Sequence, residues 1–234
     1  MLRQPTQQLA LDLVEPEAPT LDNFVVGDNA ELIACLRQCL RGEGPQFIYI
    51  WGPPASGRTH LLRSLTPSQR WRVPEFDPAV VLYTVDNVEQ LDDEDLERLF
   101  HLMNAVRSRP GTRLVAAGAG PAAQLPIRED VRTRLCWGLS YRVRYLPDAL
   151  AEAEFVRQAH ARGLEISPEA ARWVSEHVPR DMRGLRDFLD KMDRRSMQTK
   201  RRVSFSLLNE CLQSLEADRR HATQLPRQAA VRKP

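Results

Sequence analysis

The chain has 234 residues, 42% of them hydrophobic and 27% charged, with a formal net charge of +2 at pH 7. That length holds one sizeable domain or two small ones, and no stretch approaches the roughly 18 consecutive apolar residues of a membrane span. A charge this close to zero argues against nucleic-acid binding by the whole surface, and the N-terminus lacks the charged-then-apolar order of a signal peptide, which predicts a cytoplasmic protein.

In chain order, residues 1–20 contain Pro5, Pro16 and Pro19 with little periodicity and read as a flexible leader, inside which stands the cluster Gln8-Leu9-Ala10-Leu11-Asp12-Leu13. A helix capped by Asp28 or Asn29 is predicted to run to about Arg41, with Leu32, Ile33, Leu36 and Leu40 on one face and Gly42 and Gly44 ending it. Cys35 and Cys39 share a face of that helix and read as buried thiols ahead of a metal pair; with Cys136 and Cys211 they form no C-x-x-C spacing. The run Phe47-Ile48-Tyr49-Ile50-Trp51 predicts a strand, and a helix follows at His60-Leu61-Leu62-Arg63. Residues 79–85 form a continuous apolar run ending at Asp86, the pattern of a strand buried on both faces. Asp92 to Asp95 open a helix whose core face is Leu96, Leu99, Phe100, Met103 and Val106, the acidic first turn suiting its dipole. Short strands are predicted at 113–117 and 139–145, with a helix near 128–135 between them. Strands alternating with helices imply a parallel sheet covered on both faces.

After Pro147 helical patterns take over, at 148–162, at 168–177 with Ser167 as cap and Pro168 in the first turn, at 181–198 and at 205–216. The predicted organisation is a leader at 1–20, an α/β domain at 21–146, a helical domain at 147–216 and a disordered basic tail at 217–234, which carries Arg219, Arg220, Arg227, Arg232 and Lys233.

The most informative motif is Gly52-Pro53-Pro54-Ala55-Ser56-Gly57-Arg58-Thr59. It keeps the phosphate-loop spacing G-x-x-x-x-G-K-[ST] between a strand and a helix, with Arg58 in place of the lysine. Gly and Pro also make ordinary turns, but the flanking strand and helix favour a nucleotide cradle, in which backbone N–H groups and the helix N-terminus converge on phosphate. Gly52, Ser56, Gly57, Arg58, Thr59 and His60 are the cofactor-binding candidates of this loop. Arginine places its charge differently from lysine, so binding survives and hydrolysis suffers. Asp86, closing a buried strand behind the loop, is placed to hold Mg²⁺ together with Thr59. The next residue, Asn87, is an amide where an ATPase needs a carboxylate to activate water. Arg183, in Asp181-Met182-Arg183, and Arg134, in Arg132-Thr133-Arg134-Leu135, are candidates for phosphate contact, the second as an arginine finger offered to another subunit's nucleotide. A finger of that kind projects from the surface, so its removal is expected to leave stability unchanged.

Together these residues resemble the AAA+ family of the bacterial replication initiator DnaA and its small relatives of the Hda type, the regulatory inactivators of that initiator. The resemblance runs from about residue 7 to residue 216. It covers Phe24 to Asn29, an adenine-side segment in that family, the loop Gly52 to Thr59, Val85-Asp86-Asn87, the arginine-finger box Arg132 to Gly138, and Asp181-Met182-Arg183, the second sensor. It implies an AAA+ P-loop three-layer αβα domain with a parallel sheet and a small α-helical lid, binding ADP or ATP with Mg²⁺. It also implies that Gln8, Leu9, Leu11 and Leu13 form the short peptide that docks into the sliding clamp (the β subunit of the DNA polymerase), an extended segment presenting leucines beside a polar anchor. The implied function is negative regulation of replication initiation: an ADP-bound protein on the DNA-loaded clamp stimulates ATP hydrolysis by DnaA, with Arg134 acting in trans and no autonomous ATPase of its own. Ala119 stands where the family's first sensor carries Asp, and the chain is short between the loop helix and residue 79, so a second strand is reduced or missing, with Trp71-Arg72-Val73-Pro74 as a remnant. Two other readings stay open: a loader-type or DnaA-like ATPase acting at the origin, against which Arg58, Asn87 and Ala119 argue, and a DNA-binding adaptor using the basic tail. The oligomeric state is open as well.

Overall fold

A computed structural model describes residues 18–69, 72–178, 182–199 and 203–224. The chain divides into two compact units, with the break between Pro147 and Asp148.

The first unit is built on four parallel strands, β1 (Phe47–Trp51), β2 (Leu82–Val85), β3 (Arg113–Gly118) and β4 (Leu139–Arg142), in the order β2-β3-β1-β4. Helices α1 (Ala30–Leu40), α2 (Arg58–Leu65), α3 (Asp93–Ser108) and α4 (Glu129–Leu135) cover it. Alternation along β1 explains the layering. Ile48 and Ile50 pack with Leu32, Ile33, Leu36, Leu61, Leu62 and Val143 on the α1/α2 side. Phe47 and Tyr49 pack with Leu96, Leu99, Leu102, Met103 and Val131 on the α3/α4 side. With both faces covered, the central strands read as apolar runs without alternating polarity. Because all four strands are parallel, their C-terminal ends, at Gly52, Asp86, Ala119 and Val143, lie along one edge, the side where open α/β sheets bind ligands.

Several expectations need correction. The run 79–85 is not buried throughout: β2 begins only at Leu82, and Val81 is 61% exposed. The reason is that β2 is an outer strand of the described sheet, and its free edge is met by a side chain. Gln69 Nε2 donates to Thr84 O at 2.6 Å and Gln69 Oε1 accepts from Thr84 N at 3.3 Å, a rung of ladder supplied by an amide. Residues 72–74 of the suggested strand remnant are not extended sheet, and Trp71 lies outside the described residues. In α1, Leu40 is half exposed while Cys35 and Cys39 take the core face, and burial pushes the Cys39 thiol up to about 11.

Asn29 precedes α1, yet neither it nor Asp28 caps that helix with its side chain. Asn29 is only 4% exposed, and its amide bridges instead: Nδ2 donates to Val26 O and Arg144 O, and Oδ1 accepts from Arg144 N at 2.8 Å. It ties the segment entering α1 to the chain leaving β4. Asn29→Ala should therefore lower unfolding free energy by about 2 kcal/mol or more, since it strands buried backbone groups. Asn29→Asp should cost at least as much, because a carboxylate would face two carbonyls. Denaturant titration of the two variants checks both.

The second unit comprises α5 (Asp148–Ala161), α6 (Pro168–His177), α7 (Met182–Thr199) and α8 (Phe205–Gln224). Ser167 caps α6, accepting from Ala170 N, with Pro168 in the first turn. Phe155, Val174, Phe188, Leu189, Met192, Leu208 and Cys211 make its core. Residues 217–224, expected in the disordered tail, continue α8. A surface helix needs good formers rather than apolar periodicity, and Lys191 on α7 reaches Asp218 at 2.5 Å. Residues 225–234 lie outside the described residues.

Candidate functional site

Gly52 leaves β1 where any side chain would collide with the strand beside it: an added Cβ would lie 2.6 Å from Val143 O and 3.0 Å from Ser56 Oγ. Gly57 is the N-cap of α2 at φ +100°, and a Cβ there would strike the Phe24 ring at 2.7 Å. The loop between them is held at Pro54, whose carbonyl accepts from Tyr145 Oη at 2.7 Å. Ala55 (φ 59°) and Asn87 (φ 49°), the two non-glycine residues in the left-handed region among those described, lie in this loop and beside Asp86; strained backbone of this kind gathers where geometry serves a site.

Gly57 offers no side chain to the first N–H groups of α2, so the helix start keeps its donors. Two buried polar atoms here have no partner, Ser56 Oγ and Arg58 Nη1. An unsatisfied buried donor costs about 1–3 kcal/mol, and an anion with several acceptor oxygens at the helix start is a ligand that takes up donors of this kind. Thr59 Oγ1 donates to Asp86 Oδ2 at 2.5 Å, while Asp86 Oδ1 accepts from Asn87 N at 2.8 Å. The hydroxyl and the carboxylate are thus brought together across 27 positions of sequence. They are the hard oxygen donors that Mg²⁺ takes alongside phosphate oxygens. A nucleotide phosphate and its cation therefore fit these residues. Asn87 contributes an amide and cannot serve as a base.

His60, one turn into α2, contacts Thr20 O through Nε2 at 2.9 Å, and its ring lies 5.6 Å from that of Phe24. It belongs with the 20–24 segment rather than with Thr59 and Asp86. Ala119, at the end of β3, offers its backbone N–H to Glu89 Oε2 at 3.2 Å. Tyr49 Oη, on β1, donates to Gly120 O at 2.7 Å. Burial first, then the negative field of Glu89, holds the Tyr49 hydroxyl above its ordinary range, against the opposing charge of Arg58. Glu89, Tyr49 and Tyr145 do not stand out in the sequence as site residues, and Phe24 does so only as the start of the segment that the resemblance places beside adenine. Glu89, two residues beyond the strand-ending Asp86-Asn87 pair, carried the one local signal: a carboxylate close to the position where an amide replaces one.

Arg134, in the last turn of α4, does not project freely. Its Nε donates to Asn104 Oδ1 at 3.1 Å and its Nη1 to Asp130 O at 2.7 Å, and its guanidinium carbon lies 4.0 Å from the Phe100 ring centroid and 5.2 Å from that of Trp137. The expectation of a finger whose loss leaves stability unchanged is corrected: flat, delocalised arginine stacks on aromatic faces wherever a partly buried ring is within reach. Arg183 falls in the first turn of α7, with its side chain outside the described residues, as are Gln8, Leu9, Leu11 and Leu13.

Comparison with known proteins adds two findings. Residues 148–212 match the family model for the lid domain of Hda. The fold as a whole resembles domain III of DnaA from Thermotoga maritima, with a TM-score of 0.69 at 18% identity over 86% of this chain and 98% of that one. It resembles AMPPCP-bound DnaA from Aquifex aeolicus, with a TM-score of 0.65 at 18% identity over 90% and 72% of the two chains. The RuvB Holliday junction branch migration motor of Thermotoga maritima is also similar, with a TM-score of 0.64 at 15% identity over 84% and 72%. The fold is that of AAA+ proteins, an α/β P-loop unit followed by a lid of the Hda type.

Proposed function

We propose that this AAA+ protein with an Hda-type lid is a negative regulator of replication initiation. It holds ADP with Mg²⁺, docks on the DNA-loaded sliding clamp through residues 8–13, and presents Arg134 to ATP on the initiator DnaA, whose hydrolysis it stimulates in the cytoplasm. The observation that carries the nucleotide part is the pair of buried, unpartnered atoms Ser56 Oγ and Arg58 Nη1 beside the Thr59–Asp86 contact. The lid match supports the regulatory part.

Each residue has a stated task. The α2 N-terminus, Ser56 and Arg58 bind and orient phosphate, and Thr59 and Asp86 are the oxygen donors for Mg²⁺, which supplies charge neutralisation of the phosphates when bound. Glu89 sits on the backbone of Ala119. No side chain at Asn87 or Ala119 can accept a proton from an attacking water, which favours this reading over an autonomous loader ATPase. Calorimetric titration with each nucleotide and Mg²⁺ is expected to give ADP binding at least as tight as ATP binding, with no multiple turnover of ATP by the chain alone. ATP bound more than about tenfold tighter, a difference of about 1.4 kcal/mol, or sustained turnover, would reverse the assignment in favour of the loader.

A further inference from the structure

One stripe of α3 is given over to the end of α4. Phe100, Asn104 and Arg107 stand at i, i+4 and i+7, the spacing that puts side chains on one helical face. Phe100 lies against the Arg134 guanidinium, Asn104 Oδ1 accepts from its Nε, and Arg107 lies over the Trp137 ring at 4.3 Å. From α4 itself, Asp130 O takes Nη1. Neither hydrogen bond uses Nη2. Trp137 is tied back to the sheet by an edge-on contact with Phe47 on β1, with ring centroids 5.5 Å apart. The start of α4 is fixed too, since Arg128 binds the Asp130 carboxylate at 2.7 Å and that bond holds its carboxyl below the usual carboxylate range.

An arginine on a flexible stem loses rotamer freedom when it engages a partner's phosphates. Here that freedom has been removed in advance, by groups that leave the charge in place. A carboxylate at position 104 would neutralise the guanidinium; the asparagine oxygen accepts its hydrogen bond and leaves the positive field intact. The Phe100 face packs against the guanidinium without competing for its N–H groups.

From this arrangement we infer that Asn104, supported by Phe100, is a positioning residue for Arg134, presetting the fork that acts on the initiator's nucleotide. The inference rests on the proposed role of Arg134. The test is stimulated hydrolysis of initiator-bound ATP with loaded clamp, using the full chain, with the maximal rate and the half-saturating protein concentration measured separately and thermal melts recorded in parallel. Asn104→Ala should lower the maximal rate by about tenfold or more with the half-saturating concentration unchanged, and Phe100→Leu should lower it in the same sense. In a double-mutant cycle Asn104→Ala should add nothing to Arg134→Ala. An unchanged or raised rate for Asn104→Ala, or an equal further loss on top of Arg134→Ala, overturns the positioning role while leaving that of Arg134 standing. A full rate from Arg134→Ala overturns both. If Asn104→Ala fails to fold, Phe100→Leu decides the matter by the same criteria.

Discussion

Arg134→Ala is expected to abolish stimulation of initiator-bound ATP hydrolysis, with a loss on the order of a thousandfold, the scale at which an arginine supplied in trans stabilises transition-state charge. ADP binding and clamp docking should be retained, because the loop at Gly52 to Thr59 and residues 8–13 are separate from α4 in sequence, and the contacts of Arg134 with Asn104, Asp130, Phe100 and Trp137 do not involve that loop. Stability should fall modestly. Truncation removes a bond to Asn104, a bond to Asp130 O and the stack on Phe100, together worth about 1–2 kcal/mol, or roughly 2–8 °C in melting temperature. Arg132 is the control: it is two positions away with the same charge and should be largely dispensable. Arg134→Lys should behave more like alanine than like arginine, because a point charge cannot keep the Asn104 bond, the Asp130 bond and the contact with the Phe100 ring together. Stimulated hydrolysis by Arg134→Ala at the unmutated rate would end the proposal, and equal losses at Arg132 and Arg134 would indicate a basic docking surface instead.

What the sequence made legible was local. The strand, loop and helix around Gly52 to Thr59 follow from short-range chemistry: glycines where the backbone must turn or approach a neighbour, and an apolar run before them. The pairing of Thr59 with Asp86 was readable because a parallel sheet brings the C-terminal ends of its strands to one edge. What escaped depended on neighbours far along the chain. The apolar character of Val80 and Val81 does not reveal that β2 is an outer strand with its edge filled by Gln69. Phe100 follows the apolar period of α3 but sits at the margin of its core face, where Arg134 covers it. Glu89 and Tyr49 gain meaning only once β3 ends beside β1, and Asn29 reads as a helix cap until the chain leaving β4 is found against it. The lid helices were predicted closely because caps such as Ser167-Pro168 are local. The end of α8 was not, because nothing apolar marks where a surface helix stops.

Changing Gln8 and Leu9 together to alanine is expected to eliminate clamp binding while leaving the protein folded. These residues lie outside the described structure, and the described core begins at Leu21, so thermal melts of the double variant should superimpose on the unmutated protein. The binding loss should be large for a physical reason. A peptide of six residues has few contacts, so most of its affinity must come from one or two side chains filling pockets, and truncating an anchor of that kind costs at least about 2 kcal/mol. Two anchors removed together should weaken binding by about a hundredfold or more, even with incomplete additivity. Leu11 and Leu13, at alternate positions of the proposed docking peptide, should give smaller individual losses as the apolar remainder of the contact. Co-elution and surface binding to the loaded clamp give the measurement. Because Arg134→Ala is expected to keep clamp binding and to lose stimulation, and the leader variant to lose stimulation only by failing to be recruited, the two can be separated by fusing the leader variant directly to the clamp. Stimulation should then return for the leader variant and stay absent for Arg134→Ala. Normal clamp binding by the Gln8, Leu9 double variant would make the segment a plain leader and would require the regulator to reach the initiator by another surface.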